Sequence, residues 1–252
     1  MISRKAIFYL FFPLAALFSC AAHGAAPGMT VKVYLPDPWV AAVTGERAVV
    51  YLDGQVEIDT PAKVLATLVV QGVHGGQVYL NSPGGNLFAG MELGRLLRKE
   101  GFDTTVGKEG SAKYDSQPGG CYSACVLAYL GGYFRYSKKG SQLGVHRFST
   151  PISKSTDLDT AQITSAAITN YLVEMGVNTA LLDRMVRASA EEIYLLSDVE
   201  ANRLQVTNDG FLPASWSVEI TSEGIYLKGA QEAWYGLGKA IFMCARGKLG
   251  MV

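Results

Sequence analysis

Residues 48–81 read AVVYLDGQVEIDTPAKVLATLVVQGVHGGQVYLN, and their pattern decides the fold class. Ala48–Leu52 is a short apolar run that reads as a buried strand and ends in the turn pair Asp53-Gly54. Ala62–Gly72 has the length of a helix, and Gln77–Leu80 reads as a second strand. A strand, a helix and a strand joined by short connections predict parallel pairing through a right-handed crossover, hence an α/β domain. Downstream, Asn81-Ser82-Pro83-Gly84-Gly85-Asn86 interrupts the pattern before a helix over Leu87–Glu100, where Leu93, Leu96 and Leu97 recur at helical spacing. A strand that ends in two glycines and opens a helix can turn bare backbone N–H groups toward a negatively charged oxygen. The alternative is a plain strand-to-helix turn. Thr104–Gly107 reads as a third strand.

Upstream, the chain starts MISRKAIFYLFFPLAALFSCAAHGAAPG. Arg4 and Lys5 precede an apolar stretch, Ala6–Phe18, and small residues follow, which is the layout of a secretory signal peptide. The stretch is short for a membrane span, which needs about 20 apolar residues. Ala22-His23-Gly24 offers a cut before Ala25, whereas Leu17-Phe18-Ser19-Cys20 is an imperfect lipoprotein box; soluble export, to the periplasm or outside the cell, is the expectation over lipidation at Cys20. The expected organisation is a signal peptide over 1–24, a main domain over 25–213 and a small appendage over 214–252. With 252 residues and 22 basic against 22 acidic side chains, the chain can bury a full core and carries no charge bias toward nucleic acid.

Residues 119–132, GGCYSACVLAYLGG, carry the chemistry. Ser123 follows a glycine pair and precedes an apolar helical run, so it is either a nucleophile raised on a tight turn or the cap of a helix N-terminus. Cys121 and Cys125 flank it, and Cys244 is the third cysteine beyond the leader. In a compartment that permits disulfides, three readings stay open: a local Cys121–Cys125 bridge, a bridge from either one to Cys244, or small buried apolar residues. The C-x₃-C spacing is no zinc signature, and His74 and His23 assemble no metal site, so no metal is expected.

The series VVYLDG, NSPGG, a helix, GGCYSACVLAYLGG and SQLGVHRF resembles the ClpP serine protease family and its relatives on the crotonase fold, from about Val49 to about Asp209. The resemblance implies a spiral of ββα units, with Ser123 as nucleophile and His146 as general base. It implies an oxyanion hole from the N–H of Ala124 and that of Gly85 or Gly84. The family's third residue is an aspartate; here EEIYLLSD offers Glu192 at the matching place, with Glu191 and Asp198 as contenders and a dyad without any acid as a further alternative.

The two helical patterns after His146, Leu158–Gly176 and Thr179–Ala188, are shorter than in ClpP, whose stacked rings meet there, so that assembly is not expected. From Ser215 onward the chain alternates strand-like runs and Gly turns, predicting three strands near Val218, Tyr226 and Phe242 as a small antiparallel sheet whose aromatic residues pack on the main domain. The sequence thus predicts an exported, ATP-independent serine hydrolase that cleaves peptide bonds in peptides or unfolded chains, without a cofactor or an ATPase partner and with homo-oligomer formation left open. An inactive binding or scaffold protein on the same fold is the alternative. An acyl-CoA enzyme of the crotonase type is disfavoured, because it needs no Ser-His pair. A Ser-Lys site with Lys138 or Lys139 is disfavoured too, because those lysines lie in a polar turn and a catalytic lysine must be desolvated.

Overall fold

A computed structural model describes residues 27–112, 114–148, 157–189, 192–222, 224–245 and 248–251; the expected leader, Cys20 and Glu191 lie outside them. Strand β1 (Thr30–Tyr34) precedes a short helix α1 (Pro38–Thr44), whose first N–H groups, on Trp39 and Val40, donate to the Asp37 side chain. Then come β2 (Val49–Asp53), α2 (Thr60–Gln71), β3 (Gly76–Asn81), α3 (Leu87–Lys99) and β4 (Phe102–Val106). The strands β2, β3 and β4 pair in parallel in that order, as the crossover pattern predicts. β1 adds antiparallel to β2, an edge that the pattern reading did not include.

A small hairpin, β5 (Lys108–Glu109) and β6 (Ser116–Gln117), leads into β7 (Gly120–Tyr122), α4 (Ala124–Leu130) and β8 (Arg135–Ser137). β8 closes the first sheet in the order β1-β2-β3-β4-β8. Next are β9 (Gln142–Val145), α5 (Asp157–Glu174), α6 (Ala180–Arg187), β10 (Tyr194–Leu195) and α7 (Asp198–Arg203). A second sheet has the order β10-β9-β7, so it holds residues on both sides of the expected nucleophile and base.

The core lies between these sheets and helices. Val50, Leu52, Val78, Leu80, Phe102 and Val106 supply it from the first sheet, and Leu93, Leu97 and Leu127 from α3 and α4. Each such side chain contributes about 1.5–3 kcal/mol by leaving water. Every residue of α4 is buried. That depth depends on α3, where Gly90 faces the Ala124 carbonyl and Gly94 faces the Leu127 carbonyl, so a side chain at either place would meet backbone. The Tyr171 hydroxyl completes the junction by donating to the Leu127 carbonyl at 2.5 Å.

Arg135 is 3% exposed and ion-pairs with no carboxylate among the described residues. Its guanidinium donates to the carbonyls of Val206 at 2.9 Å, Gln205 at 2.8 Å, Gly132 at 3.1 Å and Met175 at 3.2 Å. These carbonyls lie just beyond the C-terminal ends of α7, α4 and α5, where the helix dipoles favour a cation. Burial pushes the guanidinium down to about 10, still far above neutrality, so it stays charged.

The C-terminal sheet has four strands where three were expected: β11 (Ser215–Thr221), β12 (Gly224–Ala233), β13 (Gly236–Ala245) and β14 (Lys248–Met251), antiparallel throughout. It joins the rest of the chain through a bridge between Phe211 and Ala233, and Trp234 lies against Gly210. The expectation that its aromatic residues pack on the main domain holds only at that joint. Trp216 stays 56% exposed on the far side, stacked at a tilt near Phe242 within the sheet.

Candidate active site

Ser123 sits between β7 and α4 with φ 56° and ψ −124°. Those angles belong to the first central residue of a mirror-image turn, a place normally taken by glycine. Holding serine there costs on the order of 1–3 kcal/mol. The side chain caps nothing: no N–H of α4 donates to it. The helix-cap reading of Ser123 is therefore corrected, and the hydroxyl is left half-buried with no hydrogen-bond partner among the described residues.

Three contacts hold the turn. The Ser123 N–H donates to the Gly144 carbonyl at 2.9 Å. Cys121 and Cys125, both fully buried, form a disulfide across the serine with their Cα atoms 5.3 Å apart. This settles the cysteines in favour of the local bridge and leaves Cys244 out of it. Gly84 presses against the turn, since a Cβ there would come within 2.7 Å of the Ser123 Cβ and 3.2 Å of the Ala124 nitrogen.

The NSPGG segment is bound to the same turn residue by residue. Asn81 Oδ1 accepts from the Gly120 N–H at 2.9 Å, while the Ser82 backbone brackets Cys121, donating to Gly120 at 2.8 Å and accepting from Tyr122 at 3.0 Å. The buried Ser82 hydroxyl accepts from the Gly84 N–H at 3.1 Å, so that N–H is already engaged. The Gly84 carbonyl accepts from Val56 at 2.7 Å. In a planar trans peptide the next N–H points the opposite way, so the Gly85 N–H faces away from Val56. A side chain at Gly85 would run into the Val56 carbonyl, and its φ of 138° excludes other residues as well. Ala124 is the first residue of α4, where an N–H has no partner within the helix. Asn81 and Ser82 were not singled out as positioning residues in the sequence. The quoted motif contained them, but only the pairing of Ser82 with Cys121 shows what they hold.

His146 follows β9, which runs parallel to β7 in the register Tyr122↔Gly144. The first residue past β7 is thus Ser123 and the second past Gly144 is His146, so both emerge at the same end of neighbouring strands. His146 Nδ1 lies 2.8 Å from the Arg147 carbonyl. A carbonyl only accepts, so Nδ1 carries the proton in that contact, and in the neutral ring Nε2 is left as a free acceptor. The Ser123 hydroxyl and the imidazole share no hydrogen bond among the described residues.

Glu192 is exposed and makes no hydrogen bond or ion pair among the described residues. β10 is antiparallel to β9 with Tyr194↔Val145, so continuing that register sets Ile193 opposite His146 and Glu192 opposite Arg147. Asp198 is exposed as the first residue of α7. Glu200 instead does structural work on β10: its carboxylate accepts from Arg184 at 2.6 Å and from the Tyr194 hydroxyl at 2.8 Å. The Arg184 hydrogen bond, with Tyr194 helping, holds that carboxyl below the usual glutamate range. Lys138 is bound to Ser116, and His74 pairs with Glu100 at 2.9 Å on the surface, so neither enters the site. A hollow of about 350 Å³ is lined by Asp53, Gly54, Asn81, Ser82, Gly120 and Tyr122; Ser123 and His146 do not line it.

No family model matches the chain, and no curated protein matches it. Among solved structures, a mutant ClpP1 from Listeria monocytogenes is similar, with a TM-score of 0.48 and 17% identity, covering 68% of this chain and 94% of that one.

Proposed function

We propose that the protein is an exported serine hydrolase of ClpP-like design, with Ser123 as nucleophile and His146 as base, acting on peptide bonds. The observation that carries this reading is the backbone of Ser123. A serine with φ 56° and ψ −124°, relieved of any capping role and clamped by a disulfide and a glycine contact, is strained without a structural benefit. Such strain persists where the surroundings over-determine it, and a strand-to-helix turn of this kind presents a nucleophile above the helix N-terminus.

The chemistry follows from the groups present. The Ser123 hydroxyl adds to the substrate carbonyl while His146 Nε2 takes its proton. The N–H groups of Gly85 and Ala124 receive the charge that develops on the carbonyl oxygen; losing one such donor costs about 10²–10³ in rate. Imidazolium then protonates the departing amine, and water drawn through the same base releases the acyl group. The hydrogen bond from Nδ1 to the Arg147 carbonyl orients the ring, which makes the unit a Ser-His dyad oriented by backbone. Substrate side chains would occupy the hollow lined by Tyr122, the residue before Ser123.

A fluorophosphonate probe tests the reading. The purified protein is expected to be labelled at Ser123, and Ser123→Ala and His146→Ala are each expected to abolish labelling. Labelling that persists in both variants would overturn the assignment of Ser123 and His146, and wild-type protein that never reacts would favour the inactive scaffold.

A further inference from the structure

The hollow of about 350 Å³ beside β2, β3 and β7 is lined by one carboxylate and by no basic side chain. The carboxylate is that of Asp53, the last residue of β2. Its Oδ2 accepts from the Asn81 amide at 3.1 Å, and Asn81 Oδ1 accepts in turn from the Gly120 N–H at 2.9 Å. That chain ties Asp53 to the strand that leads into Ser123 and uses one carboxylate oxygen. The Asp53 side chain makes no further hydrogen bond and no ion pair among the described residues. Lys32, on the neighbouring β1, is engaged by Glu109. Tyr122 forms another wall of the hollow. Its hydroxyl donates to Gln142 Oε1 at 2.6 Å, and its ring lies over Gly120, where a Cβ would meet it at 2.4 Å, so the ring is held in place. Pro27 and Pro83 add apolar surface.

This combination selects a chemistry. A carboxylate oxygen without a partner attracts a cation, an aromatic ring adds attraction over its face, and proline surface suits the methylene stem of a long side chain. A neutral side chain gains nothing from the carboxylate, and an acidic one is repelled. The hollow also lies where a substrate of the site would pass. Tyr122 directly precedes Ser123, and Pro83 directly precedes Gly84-Gly85, which holds the proposed oxyanion donor. Tyr122 stands opposite Gly144 in parallel register, and a Cβ on Gly144 would meet the Tyr122 ring at 2.7 Å, so the ring lies on the Gly144 side of the second sheet. His146, two residues further on, falls on that same side. We propose that the hollow takes a lysine or arginine side chain of the substrate near the bond that Ser123 attacks, with Asp53 as the residue that determines this specificity. The cleavage of that bond rests on the hydrolase reading, whereas the recognition of a basic side chain rests on the hollow itself.

Acetylated and amidated alanine-rich hexapeptides, with lysine, norleucine or glutamate stepped through each position, test it. Binding to the Ser123→Ala variant is read by fluorescence anisotropy, and cleavage by the wild type is read by chromatography. At the position that meets the hollow, lysine is expected to exceed norleucine about 10-fold in affinity and in kcat/KM, with glutamate weakest. The preference is expected to shrink as sodium chloride rises from about 50 to 500 mM. Asp53→Asn keeps an oxygen for the Asn81 amide and is expected to bring lysine and norleucine within about twofold of each other. Asp53→Lys is expected to favour glutamate over lysine, a reversal that loss of structure does not produce. Glu46→Gln removes an exposed acid ahead of the other end of β2 and is expected to keep the lysine preference. Circular dichroism checks that each variant is folded. A wild type without lysine preference, or a preference that survives both Asp53 variants, would overturn the proposal even where a fluorophosphonate labels Ser123. Lysine-selective binding that depends on Asp53, in a protein that the fluorophosphonate never labels, would uphold the recognition and remove the hydrolase reading.

Discussion

The amide of Ser123 donates to the carbonyl of Gly144 at 2.9 Å, which ties the turn that carries the proposed nucleophile to the strand that carries the proposed base. His146 stands two residues beyond Gly144, so the distance between the two reacting groups is set by one strand pairing and not by a flexible loop. Everything that fixes β9 therefore fixes the site: β7 on one side, and β10 with its Glu200 clamp on the other.

The disulfide is the first place to test that rigidity. Cys121 ends in a buried strand position and Cys125 in the first turn of α4, so their bond closes a very short loop around Ser123. Chain-entropy reasoning gives about 2 kcal/mol for so short a loop. The double variant Cys121→Ala/Cys125→Ala is expected to melt about 4–8 °C lower, on the scale for a chain of this length. Probe labelling of Ser123 is expected to slow by roughly 10–100-fold, because the strained backbone is released and small misplacements are costly in rate. Differential scanning calorimetry and labelling kinetics give the two numbers. An unchanged labelling rate at a lowered melting point would confine the disulfide to stability.

Glu200 gives a pH dependence. Its carboxyl is held below the ordinary glutamate value of 4.5, chiefly by the Arg184 hydrogen bond. A group whose folded value is depressed contributes stability above its unfolded value and loses it as pH falls through the folded one. Glu200→Gln is expected to lower the melting temperature by about 1–4 °C at pH 7, given the modest worth of an ion pair that is only partly buried. The gap between variant and wild type is expected to close as the pH is taken below 4.5. A gap that stays constant from neutral to acid pH would show that the clamp acts through packing alone.

Much of the first sheet was legible because its strands and helices obey simple periods. The apolar run before Asp53-Gly54 and the leucine spacing in α3 each have one reading, and the parallel order of β2, β3 and β4 follows from their connections. β1 was harder. TVKVY alternates well enough for an edge strand, but its pairing with β2 is antiparallel and long-range, and nothing local announces it. At the site, the residue types around Ser123 could be read, whereas the choice between cap and strained turn could not, because both need a small polar residue after glycine. The proposed choice of Gly85 over Gly84 as oxyanion donor turns on which N–H the Ser82 hydroxyl has already taken, a contact between residues whose roles their types do not reveal. The position of Arg135 among the ends of three helices is a property of the assembled fold, which its local sequence does not reveal.

The third acid is the sharpest remaining question, and the sheet supplies an expectation. Side chains alternate along β9 and β10, so a residue that shares the side of His146 must share the parity of Ile193, which Glu192 does not. The imidazole nitrogen that a carboxylate would approach is already 2.8 Å from the Arg147 carbonyl. Glu192→Gln is therefore expected to leave the labelling rate of Ser123 within about twofold of wild type, a change too small for the loss of an orienting charge, which costs up to about 10⁴. His146→Ala, in the same assay, is expected to remove labelling altogether. Glu191→Gln and Asp198→Asn complete the series: a drop of 10² or more in any one of the three, with folding retained by circular dichroism, would make that residue the partner of His146 and require its carboxylate to displace the Arg147 carbonyl from Nδ1. Unchanged rates in all three would leave the backbone carbonyl as the group that holds the ring, and a carbonyl, being neutral, stabilises imidazolium less than a carboxylate does. The dyad should then turn over more slowly than a full triad even with its nucleophile and oxyanion donors in place.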